Sequence, residues 1–236
     1  MRWFRCLIAT MSLPLFLMVW GGCTHTPDTQ FYVLMPLPRT ETDHPPAVER
    51  SRTHRQKAVG GLRTVSSSPS AESTHGPVAL RRTRLSLGIG PITLPAYLDR
   101  PQIVTRTSHA KLDLSEFEQW AAPLQDDVPR VLADNLSYLI PTNHVTVFPW
   151  QRSTLIDYQI TVDITHFEGT LGESSALTAR WRILGEDGRE LLMKTSSFSE
   201  QVSGQDHEAT VASMSRTLGA LSREIAAALE DVLQKS

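Results

Sequence analysis

Polar and apolar residues alternate along most of this chain, and the period of the alternation assigns the elements. Leu85, Leu87 and Ile89 alternate with Ser86 and Gly88, which predicts a half-buried strand over 85–94. Gln102 to Arg106 predicts a second, and His109 to Leu114 an extended continuation. From Leu155 to Phe167 the period is two, with Tyr158, Ile160, Val162 and Ile164 on one face and Gln159, Thr161, Asp163 and Thr165 on the other. Leu177, Ala179, Trp181 and Ile183 repeat the pattern against Thr178, Arg180 and Arg182. Asp187-Gly188 marks a hairpin turn after them, and Arg189 to Phe198 returns. His144 to Phe148 is a short strand, and Thr29 to Met35 another, rich in β-formers. One polar face on each strand of the later region indicates antiparallel structure open on that side to water or to a partner.

Two stretches switch to three- and four-residue spacing. Val128, Val131, Leu132, Leu136 and Leu139 predict a helix from about Asp127 to Ile140, ended by Pro141. Pro129 is acceptable in a first turn, so Asp126 or Asp127 is the expected N-cap. Val211, Met214, Leu218, Leu221, Ile225, Ala228 or Leu229, and Val232 predict a second helix, capped by Asp206 and running to about Leu233. That stripe fits a core face and also a coiled-coil seam. The expected fold is α+β: a two-layer sandwich, its sheet mixed but mostly antiparallel, with two main helices packed on one face.

The ends of the pattern carry different information. Arg2 and Arg5 precede an apolar run, Leu7 to Trp20, that is short for a membrane span, and Gly21-Gly22-Cys23 follows. Small residues before a cysteine at this point read as a lipobox: cleavage after residue 22 and acylation of Cys23. An ordinary secretory signal and an uncleaved anchor are the alternatives. Only Cys6 and Cys23 are present, so the mature chain is left with no free thiol and no disulfide. Residues 36–78 are crowded with Pro, Ser, Thr, Gly, Arg and His and lack an apolar period, so they are expected to be disordered. The resulting layout is a signal (1–22), a lipid anchor with a first strand (23–35), a linker or insertion (36–83) and a folded domain (84–236).

Charge is unevenly spread. Residues 39–84 hold nine Lys/Arg and four Asp/Glu, a net of +5, whereas 85–236 hold twelve and twenty, a net of −8. An acidic domain argues against nucleic acid, which needs a basic face. The basic segment is either a solvated linker or lies on anionic head groups.

Candidate chemistry is sparse. The chain has no H-E-x-x-H and no P-loop, and Gly88-Ile89-Gly90 lacks the third glycine of a dinucleotide loop. Gly172 to Ala176 echoes a nucleophile elbow but lies between two strands. His25, His44, His54 and His75 flank the anchor or lie in the linker, and His109, His144 and His166 are scattered, so no metal or other cofactor is expected. The reading is therefore a binding protein and not an enzyme. Its candidate contact residues lie in LPAYLDRPQIVTR (94–106), where Pro95 and Pro101 bracket five residues with little freedom. Tyr97, Leu98, Asp99 and Arg100 there form either a docking loop or a tight connection, and Trp120 with Phe117 is either an adjoining contact or the core's edge.

Residues 94–106, followed by LDLSEFEQWAAPLQDDVPRVLADNLSYLI (112–140), resemble the PqiC/YmbA family of bacterial lipoproteins. The resemblance spans most of 84–235, with FYVL (31–34) as a first strand. It implies a non-catalytic auxiliary subunit of an MCE-type intermembrane transport system, docking a PqiB-like MCE-domain protein. It also implies that residues 36–83 are a long insertion between the first two strands. Thr24, in place of an aspartate after the cysteine, implies sorting to the outer membrane with the domain facing the periplasm. A lipid carrier with an apolar cavity between sheet and helices is the alternative, and homo-oligomer formation is left open.

Overall fold

The computed structural model describes residues 27–39, 85–142, 144–151 and 153–235. The signal segment, Cys23 and nearly all of the 36–83 linker lie outside the described residues.

The sheet is built on β6 (Tyr158–Gly169). On one side β7 (Ser174–Gly185) and β8 (Glu190–Gln201) continue it antiparallel. Two strands share the other side in succession. β2 (Ser86–Thr93) runs parallel to residues 158–163, and β3 (Gln102–Ser108) runs parallel where Thr105 meets Gly169. Residues 94–101 are thus an excursion between two nearly consecutive parallel strands. β5 (His144–Val147) extends the β2 half in parallel. β4 (Lys111–Trp120) extends the β3 half antiparallel, and β1 (Gln30–Tyr32) adds to it in parallel as an edge. Antiparallel pairing dominates by length, and the fold is the expected α+β sandwich.

Helices α1 (Leu124–Leu139) and α2 (His207–Lys235) cover one face. Ile160, Val162, Ile164, Leu177, Ala179, Trp181 and Ile183 point into the layer between, and Leu218, Leu221 and Ile225 meet them. The coiled-coil alternative for the last stripe falls away, because that stripe is consumed by the core. Asp206 caps α2 as expected, accepting from Ala209 N–H at 2.8 Å.

The start of α1 corrects the sequence reading. The helix begins at Leu124, after Pro123, and Pro129 lies inside it. Pro123 carbonyl accepts the Asp126 and Asp127 amides at 2.9 and 3.0 Å and closes the first turn early. Neither Asp126 nor Asp127 is the cap, and the buried Asp127 is committed elsewhere.

Its partner is the N-terminal segment. After β1 the chain crosses α1 and α2 as an extended strap, its amides bonded to helix side chains. Leu34 N–H donates to Asp127 Oδ2 at 2.9 Å, Met35 N–H to Ser215 Oγ at 3.0 Å and Leu37 N–H to Asn135 Oδ1 at 2.7 Å. Arg130, paired with Asp127, donates to Leu34 carbonyl at 3.2 Å. A polar backbone leaving a sheet edge must find partners, and here an i,i+3 ion pair on a helix supplies both. Leu34 is buried, and Leu37 sits where a Cβ on Gly219 would come within 2.7 Å of it.

Gly88 and Gly90 also have a packing role. A Cβ on Gly88 would lie 2.9 Å from Trp150, and one on Gly90 2.8 Å from Phe148, so the glycines admit an aromatic pair stacked edge to face. Ser174, in the faint nucleophile-elbow match, is paired into β7 opposite Gln201.

Candidate functional site

The excursion between β2 and β3 is a single turn of 3-10 helix, Ala96–Leu98. Pro95 supplies an extended conformation (φ −57°, ψ 138°) that redirects the chain, and its carbonyl accepts Leu98 N–H at 2.9 Å. Asp99 N–H reaches Ala96 carbonyl at 3.2 Å, and Arg100 N–H reaches Leu98 carbonyl at 2.9 Å. Trp120 N–H donates to Pro101 carbonyl at 2.7 Å, fastening the exit of the turn to the end of β4. Gln125 Nε2 donates to Ile92 carbonyl at 2.6 Å, fastening its entry to α1. The loop is fixed at both ends.

Its floor is an ionic cluster. Tyr97 Oη donates to Glu168 Oε2 at 2.7 Å, and Arg106 donates to Glu168 Oε1 from Nε at 2.9 Å and from Nη2 at 2.5 Å. Phe167 N–H also donates to Oε2, at 3.0 Å. Arg106 Nη1 continues to His109 carbonyl at 2.9 Å in the β3–β4 turn. One buried carboxylate on β6 thereby holds the 3-10 turn, β3 and the next turn in register. A buried charge is tolerated only when paired and hydrogen-bonded, as here. Burial, and then the bond to Glu168, raise the Tyr97 pKa well above its ordinary value, so the phenol stays protonated and donating.

The four loop candidates separate in space. Asp99 is exposed, and Arg100 and Tyr97 are half-buried. Leu98, expected on the surface, is 2% exposed and points into the core, and Trp120 is 5% exposed at the end of β4. These two are corrected to core residues: both lie on the inward side of elements pinned by the bonds just described. Phe117 is half-buried on β4. Arg100 Nε is buried with no hydrogen-bond partner.

Sequence reasoning passed over Glu168 and Arg106. The signal was present: apolar positions on β6 are even through Ile164 and then odd at Phe167. That change of parity coincides with a register shift between Ile164 and His166. The bulge leaves Phe167, Glu168 and Gly169 all buried in sequence. Among the described residues no group of three or more His, Cys, Asp or Glu is placed to hold a metal ion, and no helix is long and apolar enough to cross a membrane.

Comparison with known proteins places this architecture. A crystal structure of an uncharacterized protein superposes with TM-score 0.55 at 18% identity, over 62% of this chain and 93% of that one. A Xanthomonas campestris protein assigned to the DUF330 family gives TM-score 0.52 at 18% identity, over 61% of this chain and 83% of its own. Both likenesses concern the fold. A comparison with curated proteins found no match. The model of a family described as "ABC-type transport auxiliary lipoprotein component" matches residues 67–226, from before β2 into α2. The chain therefore belongs to the ABC-type transport auxiliary lipoprotein family.

Proposed function

We propose that this protein is a non-catalytic subunit, anchored through acylated Cys23 to the periplasmic face of the outer membrane, that docks an MCE-domain partner of an intermembrane transport system. Residues 1–22 are then the signal, 23–35 the anchor and first strand, 36–83 an insertion, and 84–236 the docking domain. The partner's kind rests on the resemblance of residues 94–140 to the PqiC/YmbA lipoproteins, and the auxiliary role on the family to which the chain belongs. Docking rests on one observation: a loop fixed at both ends and from below presents an exposed carboxylate, Asp99, beside the half-buried guanidinium side chain of Arg100. A rigid loop loses little entropy on binding, and arginine is among the commonest anchors of protein interfaces.

The test is capture of a purified PqiB-like MCE protein by the mature chain. Asp99→Ala and Arg100→Ala are expected to weaken capture while leaving the thermal midpoint in place. Capture unchanged by both would remove the loop from the interface. Cys23→Ser is expected to release the protein from the membrane fraction, and firm retention would defeat the anchor.

A further inference from the structure

Phe31, Val33 and Met35 are 64%, 45% and 59% exposed, while Tyr32 is half-buried and Leu34 is buried between them. In extended chain, residues two apart share a side, so these three large apolar side chains form a continuous ridge on the outer side of β1 and the strap. The helix side chains that fix the strap's amides hold the ridge outward. An exposed apolar run of this kind marks an interaction site.

Its place in the chain identifies the occupant. Seven residues separate Cys23 from Phe31, and the eight backbone steps between the two reach at most about 28 Å when fully extended. Because β1 is paired to β4 through Gln30↔Glu118 and Tyr32↔Trp120, the folded domain itself begins at the end of that short lead. Residues 36–83 follow the ridge and add nothing to the lead. With Cys23 in the bilayer, the apolar side chains nearest to it in the folded part of the chain are those of the ridge.

We infer that Phe31, Val33 and Met35 seat in the head-group region of the same bilayer that holds the lipid on Cys23. The domain then rests on the membrane in a defined orientation instead of swinging from its acyl chains. This inference rests on the proposed anchor at Cys23. Apolar side chains of amphipathic segments enter that boundary zone by about 5–10 Å, well within the lead's reach.

The experiment uses the lipidated full-length protein in phosphatidylethanolamine–phosphatidylglycerol vesicles. The mature chain's only cysteine is acylated, so Val33→Cys, Met35→Cys and, as a reference on β8, Met193→Cys can each be spin-labelled specifically; Met193 is as exposed as the ridge. Labels at 33 and 35 are expected to show a several-fold loss of collision with a water-soluble nickel complex and a gain with oxygen, relative to 193. Nickel accessibility equal at all three positions, in protein that floats with the vesicles, would overturn the inference and leave the anchor standing. Protein that does not float would overturn both. Shielding accompanied by spin–spin broadening that disappears on dilution in lipid would assign the ridge to a second copy of the chain, and overturn the membrane as occupant.

Discussion

Two irregular segments of this molecule, the loop 94–101 and the strap 33–37, are held rigid by opposite means. The loop keeps its backbone bonds largely to itself and is tied down by a side chain, Tyr97 on Glu168. The strap has no internal ladder and is tied down by its backbone, with Asp127, Arg130, Asn135 and Ser215 supplying the partners. The difference decides what each can show to its surroundings. The loop has spent its aromatic on anchorage and leaves charge outside, on Asp99 and Arg100. The strap has spent its polar groups on anchorage and leaves hydrocarbon outside, on Val33 and Met35. A polar, reversible contact suits the first, and a lipid surface the second. A buried carboxylate takes part in each anchorage, Glu168 under the loop and Asp127 under the strap, so the comparison can be broken at those residues.

The largest effect is expected from Glu168→Ala. It leaves the Arg106 charge and the Tyr97 hydroxyl without their acceptor, and removing one partner of a fully buried pair costs about 3–5 kcal/mol. Arg106 keeps 30% of its side-chain exposure, so the expected loss is at the lower end, about 3 kcal/mol. Denaturant unfolding measures it, and capture of the MCE partner should fall with it, although Glu168 itself is out of reach. A loss below 1 kcal/mol would mean that the cluster does not hold the loop.

Asp127→Ala is the matching change under the strap, with an expected cost of about 2 kcal/mol, since the Leu34 amide is left unpaired in a buried place. Its signature is local: limited proteolysis should cut between Val33 and Leu37 while the sheet stays intact. Protection unchanged from the parent protein would show that packing of Leu34 and Leu37 alone secures the strap.

These two carboxylates were the least legible features of the sequence, although the fold around them was legible throughout. The apolar faces of β6, β7 and α2 appear directly in the spacing of Ile160 to Ile164, Leu177 to Ile183 and Val211 to Val232, because one side of each element is buried along its whole length. Asp127 was visible, but sat at a position where a helix N-cap fits the local pattern; its true partner, Leu34, is ninety-three residues away. Glu168 was hidden by a bulge that local alternation does not encode. Leu98 and Trp120 looked like contact residues because local sequence cannot tell an aromatic or aliphatic residue that caps a core from one that meets a partner.

A smaller effect is expected from Tyr97→Phe, which deletes one hydrogen bond worth about 1 kcal/mol and leaves Glu168 Oε2 its bond from Phe167 N–H. Its diagnostic is pH. The folded phenol titrates above the ordinary 10.0, because burial and the Glu168 bond disfavour its charged form. Its contribution is therefore whole below pH 10 and is lost as the pH rises through the folded value. The parent protein should lose stability on that alkaline side faster than the Tyr97→Phe variant, as read by denaturant midpoints across the range. Parallel curves would show that the phenol carries no such linkage.

The smallest change in stability, with the most to say about function, is expected from Arg100→Ala. Removing the side chain deletes an unsatisfied buried Nε, which favours the fold, and loses the packing of the aliphatic stem, which disfavours it. The two oppose each other, so the net should stay within about 0.5 kcal/mol. Capture of the MCE partner should nevertheless weaken, and Arg100→Lys should restore little of it, because an ammonium lacks the planar fork that binds a carboxylate at two points. A variant that loses more than 2 kcal/mol would instead place Arg100 among the residues that hold the loop together. The asymmetry between loop and strap would then narrow, since the loop's charge, like its tyrosine, would be spent on anchorage and Asp99 alone would face outward.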